Sequence, residues 1–546
     1  MHPELSATYY LANFQTVLAF VAARYSDILS ADEQAFIRQF HALTADARAL
    51  LVRLIMRTRN LFAADALRYD EIADLSAAIA DLHTVGFVEQ DATLTLDELL
   101  LICSKSDLLA APASAGLSPR LSKAGIKDAW EHLRDAPRTL ADWLGDDHRQ
   151  AVRLCVRPMA DTCRLLFFGN LYQDWSEFVI TDLGHLRYES VAIADSARGF
   201  AHRADLDTCL QLHQVRTRLD AGEAVAELYQ GLPVVSDQHS ATVASRLEKL
   251  RFQLGQAAER SKDWPLAQSI YVSCGYKGAR HRLLRVHEQL GDWPAAYALA
   301  MAIVDDPASE EELHATSRAL PRLARKLRQP VPELPARRSA PVAALHLAET
   351  PEICVEVSVA QALTDSQQQA HYVENTLFSS LFGLVFWEAI FAPVPGAFFN
   401  PFQAGPVDLF HPEFASRRGA GFAAGFATLA SDDLADQLVA RWRAKFGLQN
   451  HFVFWGSVDE ALIRNAIRFI PRQSLDVIFT RMLADLKNHR SGFPDLIVFD
   501  AAAQHYELIE VKAPNDRVQD NQARWMDYFL RHDIPCRVVH VSWPTP

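Results

Sequence analysis

Three residues in the segment GFPDLIVFDAAAQHYELIEVKA, residues 492–513, could do chemistry together: Asp495, Glu510 and Lys512. Two short apolar runs, LIVF (496–499) and YELIEV (506–511), carry them at their ends. Side chains at i and i+2 of a strand share a face, so Glu510 and Lys512 lie side by side while Val511 points into the core. Asp495 begins the first run, just after Pro494. If the runs pair as a hairpin through DAAAQH, Asp495 approaches Glu510 near the open end of the ladder. Two carboxylates brought together repel and raise each other's pKa. A hard divalent cation such as Mg²⁺ or Mn²⁺ offsets that cost, because it prefers carboxylate, backbone carbonyl and water oxygens. A lysine cannot sit in the cation's site, but it can position a water that the cation also holds. A cation that activates water for in-line attack on phosphorus and stabilises the leaving oxygen hydrolyses a phosphodiester. The competing interpretation of the bare pattern is a surface ion pair on a strand.

The elements that must position these residues form a C-terminal α/β unit, expected over 345–546. TLFSSLFGLVFWEAIF (376–391) is an apolar helix buried on nearly all sides, and RQSLDVIFTRMLADLKNHR (472–490) is amphipathic. The two strands follow, then a helix DNQARWMDYFLRHD (520–533) with Trp525 and Phe529 facing the core, and a final strand CRVVHVSW (536–543). The proline-rich stretch PVPELPARRSAP (330–341) reads as an extended linker and places the main boundary before this unit.

Upstream, the chain reads as mostly helical. Residues 1–93 suggest a winged-helix-like DNA-binding region, with RYDEIADLSAAIADLHTVGFVEQD (68–91) as two short helices and a tight turn. There ADARALLVRLIMRTRNLF (45–62) leaves Arg53, Arg57 and Arg59 on or near one polar face, as candidate DNA contacts. Residues 94–149 resemble a SAP module, a small helix-extended-helix DNA-binding unit: a helix ends near Leu109, a Gly/Pro/Ser loop follows, and a second helix begins near Ser122 with Lys123 and Lys127. Residues 150–344 contain a repeat, SKDWPLAQSIY (261–271) and LGDWPAAYALA (290–300), sharing D-W-P-x-A at an offset of 29 residues. Helix-turn-helix units of this kind resemble tetratricopeptide repeats, though the usual period is about 34 residues. Between the two copies Arg282 and Arg285 fall on one face, either solvated or touching phosphate.

Composition narrows the classes. The chain has 546 residues, 49% hydrophobic and 22% charged, which is globular rather than disordered. Its formal net charge of −13 excludes coating nucleic acid by bulk charge and leaves room for local basic patches. Seven scattered cysteines without a C-x-x-C argue against a zinc site or disulfide framework and fit a reducing cytosol. No signal peptide or membrane span is legible, so a cytoplasmic, nucleoid-associated protein is expected.

The arrangement Pro494-Asp495 … Glu510-Val511-Lys512 resembles the PD-(D/E)xK nuclease superfamily. G-F-P-D-L-I, then E-V-K-A-P-N-D-R, then Gln522 and Trp525 resemble its VRR-type subfamily. Glu374 at the head of the 376–391 run, the SRR of 416–418 and the order of modules are similar to the Fanconi-associated nucleases, as a bacterial-type member. The chain lacks the Cys/His pattern of the ubiquitin-binding zinc finger carried by animal members. The resemblance implies that Glu374, Asp495 and Glu510 bind one or two Mg²⁺ or Mn²⁺ ions with the Val511 carbonyl. Lys512 would position or activate the attacking water. It implies that Gln522 lies beside this group or on phosphate, and that Asn515 and Arg517 hold a phosphate. Arg417 and Arg418 are an exposed pair or a DNA clamp, and Asp408 a turn or capping acid.

The expected fold is therefore multidomain: mostly α, with winged-helix-like, SAP-like and tetratricopeptide-like parts, then a restriction-endonuclease-like α/β PD-(D/E)xK domain. The expected function is a structure-selective DNA nuclease, cutting at 5′ flaps and degrading 5′ to 3′ in interstrand crosslink repair, with branched DNA as partner and a monomer favoured. Two alternatives stay open: a dimeric junction-resolving or restriction-type endonuclease, and a non-catalytic DNA-binding scaffold.

Overall fold

The computed structural model describes residues 8–134, 136–182, 186–194, 197–333, 336–348 and 352–543. The chain divides into two compact units: residues 1–185 with 198–213, and residues 186–197 with 214–546.

In the first unit, helices Tyr9–Tyr25, Ala31–Ala42 and Ala45–Ile55 precede strand β1 (Leu61–Ala63), helix Leu75–Thr84 and strand β2 (Val88–Gln90). Of the two short helices expected over 68–91, only the second forms; the first half is turn and coil. Strand β3 (Ala151–Leu154) pairs antiparallel with both β1 and β2. The boundary expected at 149/150 is therefore not where the fold divides. The helices of 94–149 are an excursion between β2 and β3, which close one small sheet. That excursion starts with two helices, Leu96–Ile102 and Lys105–Ala110, because the extended Cys103 ends one and Ser104 caps the next with Asp107. Helix Lys123–Ala129 begins at its Ser122 cap, and Trp130 and Trp143 stack at 5.9 Å in the module's core.

In the second unit, helices Ala241–Arg260, Trp264–Val272, Ala279–Leu290, Trp293–Asp305 and Glu310–Leu327 stack in sequence. The shared D-W-P-x-A has a local cause. Asp263 and Asp292 accept the N–H of Leu266 and Ala295, and each proline sits in the first turn, where its missing N–H costs nothing. The small residues Ala267 and Ala296 are fully buried where neighbouring helices meet.

The C-terminal sheet has five strands in the order β4-β8-β7-β6-β5: β4 (Val342–His346), β5 (Gln368–Tyr372), β6 (Leu496–Asp500), β7 (His505–Lys512) and β8 (Cys536–Ser542). β6 runs antiparallel to both β5 and β7, while β8 runs parallel to β7 and β4. The boundary expected at 344/345 cuts through β4, which extends the sheet past β8. Strand alternation splits the core in two. Leu496, Val498, Ile509, Val511, Val539 and Val541 pack with helix Val355–Leu363 on one side. Ile497, Phe499, Leu508 and Val538 pack on the other side with the apolar helix Leu377–Val385 and helix Asp520–Arg531, which buries Trp525 and Phe529.

Candidate active site

The pairing of β6 with β7 sets the chemistry. Leu496 is opposite Ile509, so the ladder brings Asp495, one residue earlier, to the level of Glu510. Asp495 Oδ2 accepts the Val511 N–H at 2.8 Å, and the Asp495 carbonyl accepts the Val373 N–H at 2.8 Å. Asp495, Glu510 and Lys512 are all buried, at 5%, 0% and 4% exposure. Lys512 Nζ stands 2.6 Å from Glu510 Oε1 and 3.7 Å from Asp516 Oδ2. Both Glu510 oxygens are shut off from solvent without a well-aligned hydrogen bond. That is an expensive arrangement unless a further cationic partner exists.

The electrostatics follow. Burial, reinforced by Asp495, pushes the Glu510 carboxyl up to about 8. Burial pushes Asp495 up to about 6; the Val511 N–H and Lys512 oppose this, and Glu374 and Glu356 add to it. Burial works against the Lys512 ammonium, yet Glu510 and Asp495 outweigh it and raise its pKa. Lys512 is therefore a fixed cation at neutral pH.

Glu374 lies in the turn between β5 and the apolar helix, not in the helix itself. Its Oε2 accepts from the Tyr372 hydroxyl at 2.8 Å and its Oε1 from Asn375 Nδ2 at 3.1 Å. Burial, then Glu374, push the Tyr372 phenol up, so it remains a donor. Among the described residues no ready-made cluster of three metal-binding side chains is present. The donors nonetheless suit a hard divalent cation: buried carboxylates with raised pKa, Glu510 oxygens shielded from solvent without a well-aligned hydrogen bond, and an all-oxygen set. Glu374, Asp495, Glu510 and the Val511 carbonyl are the groups that could hold one.

The other expected contacts divide. Arg418 is buried, and its two terminal nitrogens grip Asp408 at 2.8 and 2.9 Å; Arg417 reaches the same carboxylate at 2.6 Å. The DNA-clamp expectation is thus corrected for Arg418, and Asp408 is the buried counter-ion of two arginines rather than a capping acid. Arg282 turns inward and grips buried Glu259 at 2.7 and 3.2 Å, so it does not share a solvent face with exposed Arg285. Arg53 pairs with Glu71 and lies over the Tyr10 ring; Arg57 is exposed beside Tyr69. Lys123 donates to the Leu100 and Cys103 carbonyls at 3.2 and 2.6 Å, closing a helix end, while Lys127 pairs with Asp97 at 2.6 Å. Gln522 Oε1 accepts the Gln519 N–H at 2.8 Å in a capping box. Asn515, at φ +72°, and Arg517 are exposed beyond β7. Sequence reasoning missed Glu356, Tyr372 and Asn375; the only signal was the closeness of the last two to Glu374.

Comparison with known proteins places these features. The family model described as FAN1, HTH domain matches residues 8–89, and that described as VRR-NUC domain matches residues 430–543. A Fanconi-associated nuclease 1 homolog of Pseudomonas aeruginosa is 40% identical over 98% of this chain and 96% of its own length. Human Fanconi-associated nuclease 1 is 24% identical over 98% of this chain, which spans 62% of that longer relative. The crystal structure of paFAN1 bound to 2nt 5′-flap DNA with a gap superposes with a TM-score of 0.95, at 40% identity and covering 100% of both chains. With such identity along nearly the whole of both chains, and a VRR-NUC domain over strands β6, β7 and β8, this chain belongs to the Fanconi-associated nuclease family.

Proposed function

We propose that the chain is a divalent-metal-dependent, structure-selective DNA nuclease whose preferred substrate is a 5′ flap, cut endonucleolytically and then degraded 5′ to 3′. The observation that carries this reading is the buried Glu510 carboxylate, without a well-aligned hydrogen bond, beside Asp495 and Lys512. Glu374, Asp495, Glu510 and the Val511 carbonyl would hold Mg²⁺ or Mn²⁺, which would supply Lewis-acid chemistry and a more acidic water there. Lys512, fixed at 2.6 Å from Glu510, can only donate; it orients the water and offsets charge that builds on phosphorus. Asp495, Glu510 and Lys512 are buried at the ends of paired strands, which presets their positions before substrate binds.

The flap preference is supported by likeness to the crystal structures of paFAN1 bound to gapped DNA with one- and two-nucleotide 5′ flaps. Arg57, Lys127, Arg285, Asn515 and Arg517 remain the candidate phosphate contacts; such contacts position the duplex without reading bases and weaken with salt. The family name supports a place in interstrand crosslink repair, in the compartment that holds the chromosome, and a single chain carries one complete set of acids. The test is cleavage of end-labelled flap, fork, nicked and four-way DNAs with Mg²⁺ or Mn²⁺ by wild type and Asp495→Ala. Flap cleavage is expected from wild type alone, with DNA binding kept by the variant. Equal cutting by the variant would remove the active site. A preference for four-way junctions with dimer stoichiometry would favour the resolving-enzyme alternative.

A further inference from the structure

The turn that carries Glu374 is tied to the segment that carries Asp495 by one side chain. Asn375 Oδ1 accepts the N–H groups of Gly492 and Phe493 at 2.6 and 3.1 Å, while its Nδ2 donates to Glu374 Oε1 at 3.1 Å. Asn375 takes φ +54°, a left-handed conformation that asparagine tolerates better than most residues. Its neighbour Val373 is the last backbone donor of the ladder, bonded to the Asp495 carbonyl. The receiving segment is itself anchored: the Trp525 indole donates to the Ser491 carbonyl at 3.1 Å, and a Cβ on Gly492 would meet the Asn521 backbone at 2.9 Å. Tyr372, at the end of edge strand β5, holds the other oxygen of Glu374 at 2.8 Å.

We infer that Asn375 is a positioning residue of the metal centre, an amide bridge that fixes the Glu374 carboxylate relative to Asp495, with Tyr372 as its second anchor. This rests on the reading of Glu374 and Asp495 as metal ligands. A carboxylate on a turn has several rotamers, and each one lost before the cation arrives raises affinity. Partners of this kind, behind the ligands, commonly change metal affinity 10–100-fold. A residue that only stabilised the turn would lower the melting temperature and the rate without altering the dependence on metal.

The experiment compares wild type, Asn375→Gly, Tyr372→Phe and Asp495→Ala. Asn375→Gly removes both sets of bonds while accepting the positive φ. Mn²⁺ binding to the DNA-free protein is measured by calorimetry, and 5′-flap cleavage is followed over a Mn²⁺ series. For Asn375→Gly, about tenfold weaker Mn²⁺ binding is expected, with an equal rise in the Mn²⁺ needed for half-maximal cleavage and recovery of most of the rate at saturation. Tyr372→Phe should shift both in the same direction by a smaller factor. If Asn375→Gly does not fold, the Tyr372→Phe shift decides. Wild-type Mn²⁺ dependence in the folded variants, or a rate loss that no Mn²⁺ concentration recovers, overturns the inference alone. Undiminished Mn²⁺ binding and cleavage by Asp495→Ala overturns the active-site reading beneath it.

Discussion

Two clusters in the same compact unit bury the same kinds of charge and resolve them in opposite ways. At Asp408, both carboxylate oxygens accept from guanidinium groups, and Arg418, wholly buried, also lies over the Phe414 ring. At Glu510, one lysine faces two buried acids, with Glu374 and Glu356 adding negative field. The first cluster is closed, every acid oxygen having a donor. The second is open: more acids than cations face it, and the Glu510 oxygens lack a well-aligned hydrogen bond. The closed cluster holds structure; the open one suits the cation proposed for it. The tetratricopeptide-like helices repeat the closed form, where Glu259 takes the Tyr271 hydroxyl at 2.5 Å together with Arg282.

The largest expected effect separates the two outright. Glu510→Gln should cut Mg²⁺-dependent cleavage at least about a hundredfold, because several kcal/mol of transition-state stabilisation is lost, while the folded protein persists. Cleavage that survives this change would place the open cluster among structural ones. Next, Asp408→Ala should destabilise by about 3–5 kcal/mol, since it strands a buried arginine, yet leave the cleavage rate per folded molecule as in wild type. A rate defect without a drop in denaturation midpoint would break the contrast from the other side.

Protons report the same difference more gently. Asp495 and Glu510 have folded pKa values raised to about 6 and about 8, from ordinary values of 3.8 and 4.5. The folded state therefore binds more protons than the unfolded one, and stability present below about pH 4 is lost as pH rises through 6 to 8. In EDTA, denaturant midpoints should fall over that window, and Glu510→Gln should flatten the fall. A midpoint that rises across it would contradict the open cluster. The smallest effects concern two arginines three residues apart. Arg282→Ala should cost roughly 1–3 kcal/mol of stability by orphaning Glu259 and leave the salt dependence of DNA binding unchanged. Arg285→Ala should stay within about 0.5 kcal/mol in stability and lower the salt slope by about 1 if it touches phosphate. The reverse pattern would exchange their roles.

What was legible in the sequence was whatever depends on neighbours close along the chain. LIVF and YELIEV form β6 and β7, each one residue longer at the turn and β7 reaching Lys512, because apolar strands buried on both faces write their pattern plainly. Helix Asp520–Arg531 and the D-W-P caps were equally local. The edge strands β4 and β5 went unread: VAALH and QQAHY are half exposed, mixed in polarity, and defined only by the partner that each adds to. β3, four residues long, pairs with strands more than 60 residues earlier. The basic residues were hardest. A guanidinium on a long stem goes wherever a buried acid awaits it, and Asp408 and Glu259 are invisible as such until the helices pack.

By itself, then, the amino-acid order determined which acids and which lysine share a strand face and that their hairpin must be buried, because side-chain alternation and apolar runs are properties of a few adjacent residues. Only the tertiary structure decided that Glu510 would be left with Lys512 alone and no well-aligned hydrogen bond, that Asn375 would reach across to Gly492, and which arginines would be spent inside the protein. Those outcomes depend on desolvation and on partners brought from far along the chain, and neither exists before the core closes.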